Sequence, residues 1–133
     1  MKQYELLPKS SKESQFMKLN FHERTAKGIF YVVNFRDHQF HVAYVPALDI
    51  SGYGDTEEEA VDMLFTKVLQ DFFETLFTLS QDQISAELKK YGWKRDRFRR
   101  KRFSDPPYID KEGVLKNFNL PAETPIKESL VGV

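Results

Sequence analysis

Residues 46–60, Pro-Ala-Leu-Asp-Ile-Ser-Gly-Tyr-Gly-Asp-Thr-Glu-Glu-Glu-Ala, join an extended, β-like stretch to a long helix, and they restrict the possible folds more than any other segment. Pro46 can donate no ladder hydrogen bond, which marks a strand end or an edge. Gly52 and Gly54 flank Tyr53 and offer two places where positive φ costs little. Thr56 and Glu59 have the spacing of a capping box, each side chain able to satisfy an orphan amide at a helix start. Glu57, Glu58 and Glu59 also sit where the helix dipole favours negative charge. The segment predicts a strand, a tight connection and a firmly nucleated helix.

That helix is predicted over residues 57–79. Val61, Leu64, Phe65, Val68, Phe72, Leu76 and Leu79 recur at helical spacing as one wide stripe. A second row, Phe65, Leu69, Phe73 and Phe77, advances by four residues each time. One face lying on a small sheet does not use both rows. Either residues 80–133 fold back over the second row, or Leu69, Phe73 and Phe77 form a subunit interface. Both remove the same apolar area from water, at about 25 cal/mol per Å².

The preceding residues read as strands. Residues 16–23 alternate partially, and 24–28 form a turn candidate. Residues 29–35 (Ile-Phe-Tyr-Val-Val-Asn-Phe) are β-branched and aromatic, and residues 40–45 alternate, with Phe40, Val42 and Tyr44 on one side. The polar residues 36–39 make a hairpin connection between them. Downstream, Ser80 and Gln83 form a second capping box for a helix over 81–91, with Gly92 placed to terminate it. Residues 111–118 suit one or two helical turns, and Pro121 and Pro125 argue against regular structure beyond. The chain divides into an irregular arm (1–15), a βββα core (16–79) and a basic, helical or irregular extension (80–133). The expected class is α+β: a small antiparallel sheet of about three strands packed by one long helix. A further strand is expected from residues 107–118 or from a partner.

The junction resembles that of the HicB-like antitoxins. Their pattern is an apolar strand ending near Pro-x-Leu, then Pro-Gly-Cys, a short linker, and Gly-Asp-Thr-x-Glu-Glu-Ala opening a helix. Pro46 and Leu48 match the first element. Gly54-Asp55-Thr56 followed by Glu58-Glu59-Ala60 matches the last residue for residue. Asp49-Ile50-Ser51-Gly52 stands where the family has Pro-Gly-Cys, with spacing about one residue shorter. The similarity covers roughly residues 28–79. It implies a truncated RNase H-like fold and a non-enzymatic protein that neutralises a small ribonuclease toxin by occluding it. The other reading it allows is a stand-alone, oligomeric nucleic-acid-binding module without a toxin.

The formal charge of zero hides a division. Residues 1–88 hold 8 Lys or Arg against 14 Asp or Glu, whereas residues 89–133 hold 12 against 6. An acidic body with a basic C-terminal region attracts copies of itself, a polyanion, or both. The basic charge is concentrated in Lys94, Arg95, Arg97, Arg99, Arg100, Lys101 and Arg102, with Lys89 and Lys90 just before and Asp96 the sole opposing charge. Trp93, Phe98 and Phe103 are interleaved. Arginine pairs with phosphate through its planar fork, and aromatic rings either stack on bases or pack the segment down. The plainer alternative is a strip that docks on the acidic body of the same or another subunit.

Other chemistry is not indicated. His38 and His41 lie three apart with no clear third ligand, so no metal or cofactor is expected. The predicted strands hold no carboxylates at their centres, and Asp55 and Glu59 are explained by capping, so no RNase H-type metal site is expected. Ser51 sits in Ile-Ser-Gly-Tyr-Gly, which is not a nucleophile elbow. No catalytic set emerges. No apolar run reaches about 18 residues, the first thirteen residues lack an apolar signal segment, and there are no cysteines. A cytoplasmic protein is expected. An open sheet has exposed edges, and pairing between subunits covers one, so a homodimer or tetramer is expected.

Overall fold

A single thirteen-residue strand organises the molecule, because both of its edges are used and one of them is used twice. The computed structural model describes residues 4–7, 14–104, 106, 109 and 111–133. In chain order the strands are β1 (Glu5–Leu6), β2 (Phe16–Asn20), β3 (Thr25–Asp37), β4 (Phe40–Val45), β5 (Ile50–Gly54), β6 (Lys94–Arg95), β7 (Arg102–Ser104) and β8 (Lys127–Gly132). They form one antiparallel sheet. On one edge of β3, β2 pairs along the first part (Phe16↔Ile29 to Asn20↔Thr25) and β4 along the last (Val33↔Tyr44 to Asp37↔Phe40). β8 takes the opposite edge, from Ile29↔Gly132 to Asn34↔Lys127. The sheet therefore forks: one arm continues β2–β7–β6, the other β4–β5. Hence the class is α+β, but with eight strands among the described residues in place of the expected three or so.

The helices are α1 (Glu57–Met63), α2 (Leu69–Leu76), α3 (Gln81–Lys90) and α4 (Lys111–Asn117). A π-helical turn, Leu64–Val68, joins α1 to α2 into one rod. Thr56 caps the rod as expected, its side chain accepting from the Glu59 amide at 3.1 Å. The Glu59 carboxylate reaches one residue further back than a capping box requires, to the Asp55 amide at 2.9 Å. Ser80 and Gln83 complete a reciprocal box at 3.2 and 2.9 Å. At the other end of α3, Gly92 (φ 91) donates to Lys89 and Trp93 donates to Leu88, the Schellman pattern.

The π turn explains the two apolar rows. A strict four-residue repeat drifts by about 40° per step around an α-helix of 3.6 residues per turn. The wider π turn absorbs that drift, so both rows reach the sheet. Its displaced Phe65 carbonyl accepts from the Gln70 side chain at 3.3 Å. Leu69, Phe73 and Phe77 are only 0%, 5% and 8% exposed, in one apolar cluster with Met17, Leu19, Phe30 and Val131 of the sheet. Of the two alternatives, the subunit interface is the one this corrects: the three side chains are core within a single chain, in a cluster that also holds Ile84, Leu88 and Trp93.

Four further expectations change. Residues 50–54 are a strand, not a bare connection; the turn before it is 46–49, with Asp49 at φ 53. Gly52 is not there for positive φ. A Cβ on it would meet Ala60 O and Leu64 N of the rod at 2.6 Å, so glycine is what lets strand and helix touch. A further strand was expected from residues 107–118 or from a partner; residues 107, 108 and 110 lie outside the described residues. Lys111–Asn117 form α4, as the helical turns expected over 111–118, covering the second sheet face: Val33, Phe35, Val42 and Tyr44 pack with Val114 and Phe118. Past Pro121 and Pro125, where no regular structure was expected, β8 enters the centre of the sheet. The C-terminal extension thus supplies β6, β7 and β8 as well as helices. Of the predicted N-terminal arm, residues 1–3 and 8–13 lie outside the described residues, and β1 pairs with β8. No helix among the described residues is long and apolar enough to cross a membrane.

Candidate nucleic-acid interface

Strand register brings together cations that lie far apart in sequence. Lys18 on β2 stands opposite Lys27 on β3 and opposite Arg102 on β7. Three like charges in direct register across three adjacent strands disfavour the sheet by a few tenths of a kcal/mol each. Alternation places all three on the same sheet face as Phe16, the face turned away from the rod. Lys94, opposite Ser104, belongs to that face too. Met17, Leu19 and Phe103 point the other way and are fully buried. In the β4–β5 arm the corresponding face is covered by α4; in this arm the cations cover it.

The rest of the basic run is the connection between β6 and β7, and it is held rigidly. Asp96 Oδ1 accepts from the amides of Phe98 and Arg99, both at 2.8 Å. The Arg102 amide donates to Arg99 O, and Leu19 on β2 donates to Lys101 O, each at 2.8 Å. Donation by the Arg99 amide, then by Phe98, holds the Asp96 carboxyl below the ordinary carboxylate range, and the Arg99 and Arg102 charges act in the same direction. Arg97, Phe98, Arg99, Arg100 and Lys101 are exposed around this frame.

The seven basic residues singled out from sequence divide by register. Lys94, Arg97, Arg99, Arg100 and Lys101 project into solvent. Arg102 is half-buried, its guanidinium 4.3 Å from the centre of the Phe16 ring. Arg95 turns to the opposite face: it donates to Arg100 O at 2.6 Å and lies over Phe21 and Phe103. It braces the hairpin. The three interleaved aromatics divide as well. Trp93 and Phe103 are core, whereas Phe98 is 90% exposed. Among the described residues, no carboxylate forms an ion pair with Lys18, Lys27, Lys94, Arg97, Arg99, Arg100, Lys101 or Arg102.

Lys18 and Lys27 were missed from sequence because they lie nine residues apart in unremarkable surroundings. A signal existed: a hairpin turning about residues 22–23 sets Lys18 opposite Lys27. The local composition points to a turn at 24–28, whereas the turn occupies 21–24, with Arg24 at φ 56. Among the described residues, no three His, Asp or Glu side chains converge as metal ligands. His38 is an exposed turn residue beside Asp37 (3.1 Å), and His41 lies on β4.

Comparison with protein-family models, curated proteins and solved structures gives no match.

Proposed function

We propose that this is a non-enzymatic, cytoplasmic binding protein that holds nucleic acid by its phosphates on the β2–β7–β6 face and the β6–β7 hairpin. The observation that carries this is the Lys27–Lys18–Arg102 row, like charges in register that form no ion pair with a carboxylate among the described residues. Such a row becomes favourable when an anion lies across it, and a polyphosphate backbone supplies anions at regular spacing. In this reading the strand–turn–strand–helix core over residues 28–79 is that of a HicB-like protein without a toxin, and β5, which among the described residues pairs only with β4 and lies beside exposed Phe40 and Tyr53, pairs copies into a dimer or tetramer.

The test is polynucleotide binding followed by fluorescence anisotropy over a salt series. Engaging about five phosphates makes log K fall with log salt at a slope near −4 to −5. Reversing Arg97, Arg99 and Arg100 to Glu reduces both affinity and slope. Lys18→Glu does the same from a strand outside the basic run. If polynucleotide affinity is absent before these changes, or unaltered after them, the proposal fails.

A second reading has its own support. Asp55, Glu58, Glu59 and Asp62 are exposed around the start of the rod, a surface suited to a basic ribonuclease toxin. Co-purification with a small ribonuclease encoded beside this gene supports an antitoxin. A neighbour-encoded ribonuclease that the protein does not hold removes it.

A further inference from the structure

The exposed ring at the hairpin tip says which form of nucleic acid the basic face suits. Phe98 is 90% exposed, the most exposed large apolar side chain in the described chain. It is not loosely placed. Its own amide is bound by Asp96, the turn is closed by the Arg102 amide on Arg99 O, and Lys101 O is tied to β2. A hydrophobic ring is thus displayed on a hydrogen-bonded turn, so little backbone entropy is lost when something covers it. Around it, Lys18, Arg99, Arg100, Lys101 and Arg102 complete the lining of a shallow cleft of about 470 Å³. One aromatic surface beside five cations fits a nucleotide unit: a base for the ring and phosphates for the charges.

Resting on the phosphate reading above, we infer that the protein binds single-stranded nucleic acid, with one base stacked on Phe98 and the flanking backbone laid across Lys18 and Arg102. A duplex presents phosphates but keeps its bases stacked inside, so it leaves the ring uncovered. A single strand offers both groups at once, and every base has a face to give. An anionic membrane is the poorer match. Insertion into lipid calls for a continuous apolar face, and Phe98 stands alone among cations.

The experiment measures binding of the full chain to an oligothymidylate of about a dozen nucleotides, to a duplex of equal length, and to vesicles containing phosphatidylserine. The wild type prefers the single strand. Phe98→Ala lowers single-strand affinity by roughly tenfold, so the preference collapses, and Phe98→Trp restores it. Phe98 ring protons move upfield on adding the oligothymidylate, a shift that stacking causes and charge attraction does not. Equal affinity for both nucleic acids, or a Phe98→Ala loss shared in proportion by both, overturns this inference and leaves the phosphate reading standing. Binding to vesicles alone, or to nothing, overturns both.

Discussion

Asp96 is the single carboxylate within the basic run, and its Oδ1 accepts from the backbone amides of Phe98 and Arg99. Its value is conformational: it folds the turn that carries Arg97, Phe98 and Arg99. Because its folded-state pKa lies below the ordinary aspartate value of about 3.9, the ionised form favours the native turn. That contribution is complete above the ordinary value and disappears as pH falls through the lower native one. The amide resonances of Phe98 and Arg99 therefore hold their positions from neutral pH down to about pH 4 and move only below it. Movement at a higher pH contradicts this account of the turn. The same residues show where one-dimensional reading stops. Trp93, Phe98 and Phe103 sit in one charge run, and composition treats them alike. Strand alternation sends Phe103 inward between Arg102 and Ser104, the end of α3 buries Trp93, and the turn leaves Phe98 outside.

Gly52 fixes the relation of strand to helix. Its missing Cβ lets β5 lie directly on the backbone of the rod, beside the point where α1 passes into the π turn. Gly52→Ala forces those two elements apart, since the obstructing atoms are main chain and cannot rotate away. It costs about 1–3 kcal/mol, read as a lower denaturation midpoint. A midpoint equal to the wild type places the strand elsewhere. Elements with strong local signals were legible in the sequence: the 29–35 and 40–45 strands, the rod and its Thr56 cap, and α3 with both of its ends. β5 was hidden by its two glycines, which read as turn residues. β8 was hidden because it buries fully only Val131, follows Pro125, and begins Lys127-Glu128-Ser129. Its strand character comes from pairing with β3, a partner about a hundred residues away, and no local window contains that information.

At the scale of the whole molecule, β3 serves three neighbours, and the last of them is the C-terminal strand. Removing residues 127–133 strips six ladder positions from β3, takes Val131 from the core, and leaves β1 without its partner. The loss is comparable with the roughly 5–15 kcal/mol that holds a domain of this size together. The shortened chain is expected to lose its cooperative thermal transition by circular dichroism; a transition like that of the full chain rules out a central β8.

The fork in the sheet has a last consequence. Trp93 sits at the divergence, its ring edge-on to Phe30 of β3 at 6.1 Å and its Nε1 donating at 2.9 Å to Ala47 O in the turn of the other branch. It is also the chain's single tryptophan, directly preceding Lys94 of the basic arm. The protein thus carries its own fluorophore where the two arms of its sheet diverge. Emission wavelength and quenching report, with no added label, whether a bound polyanion leaves those arms seated or pries them apart.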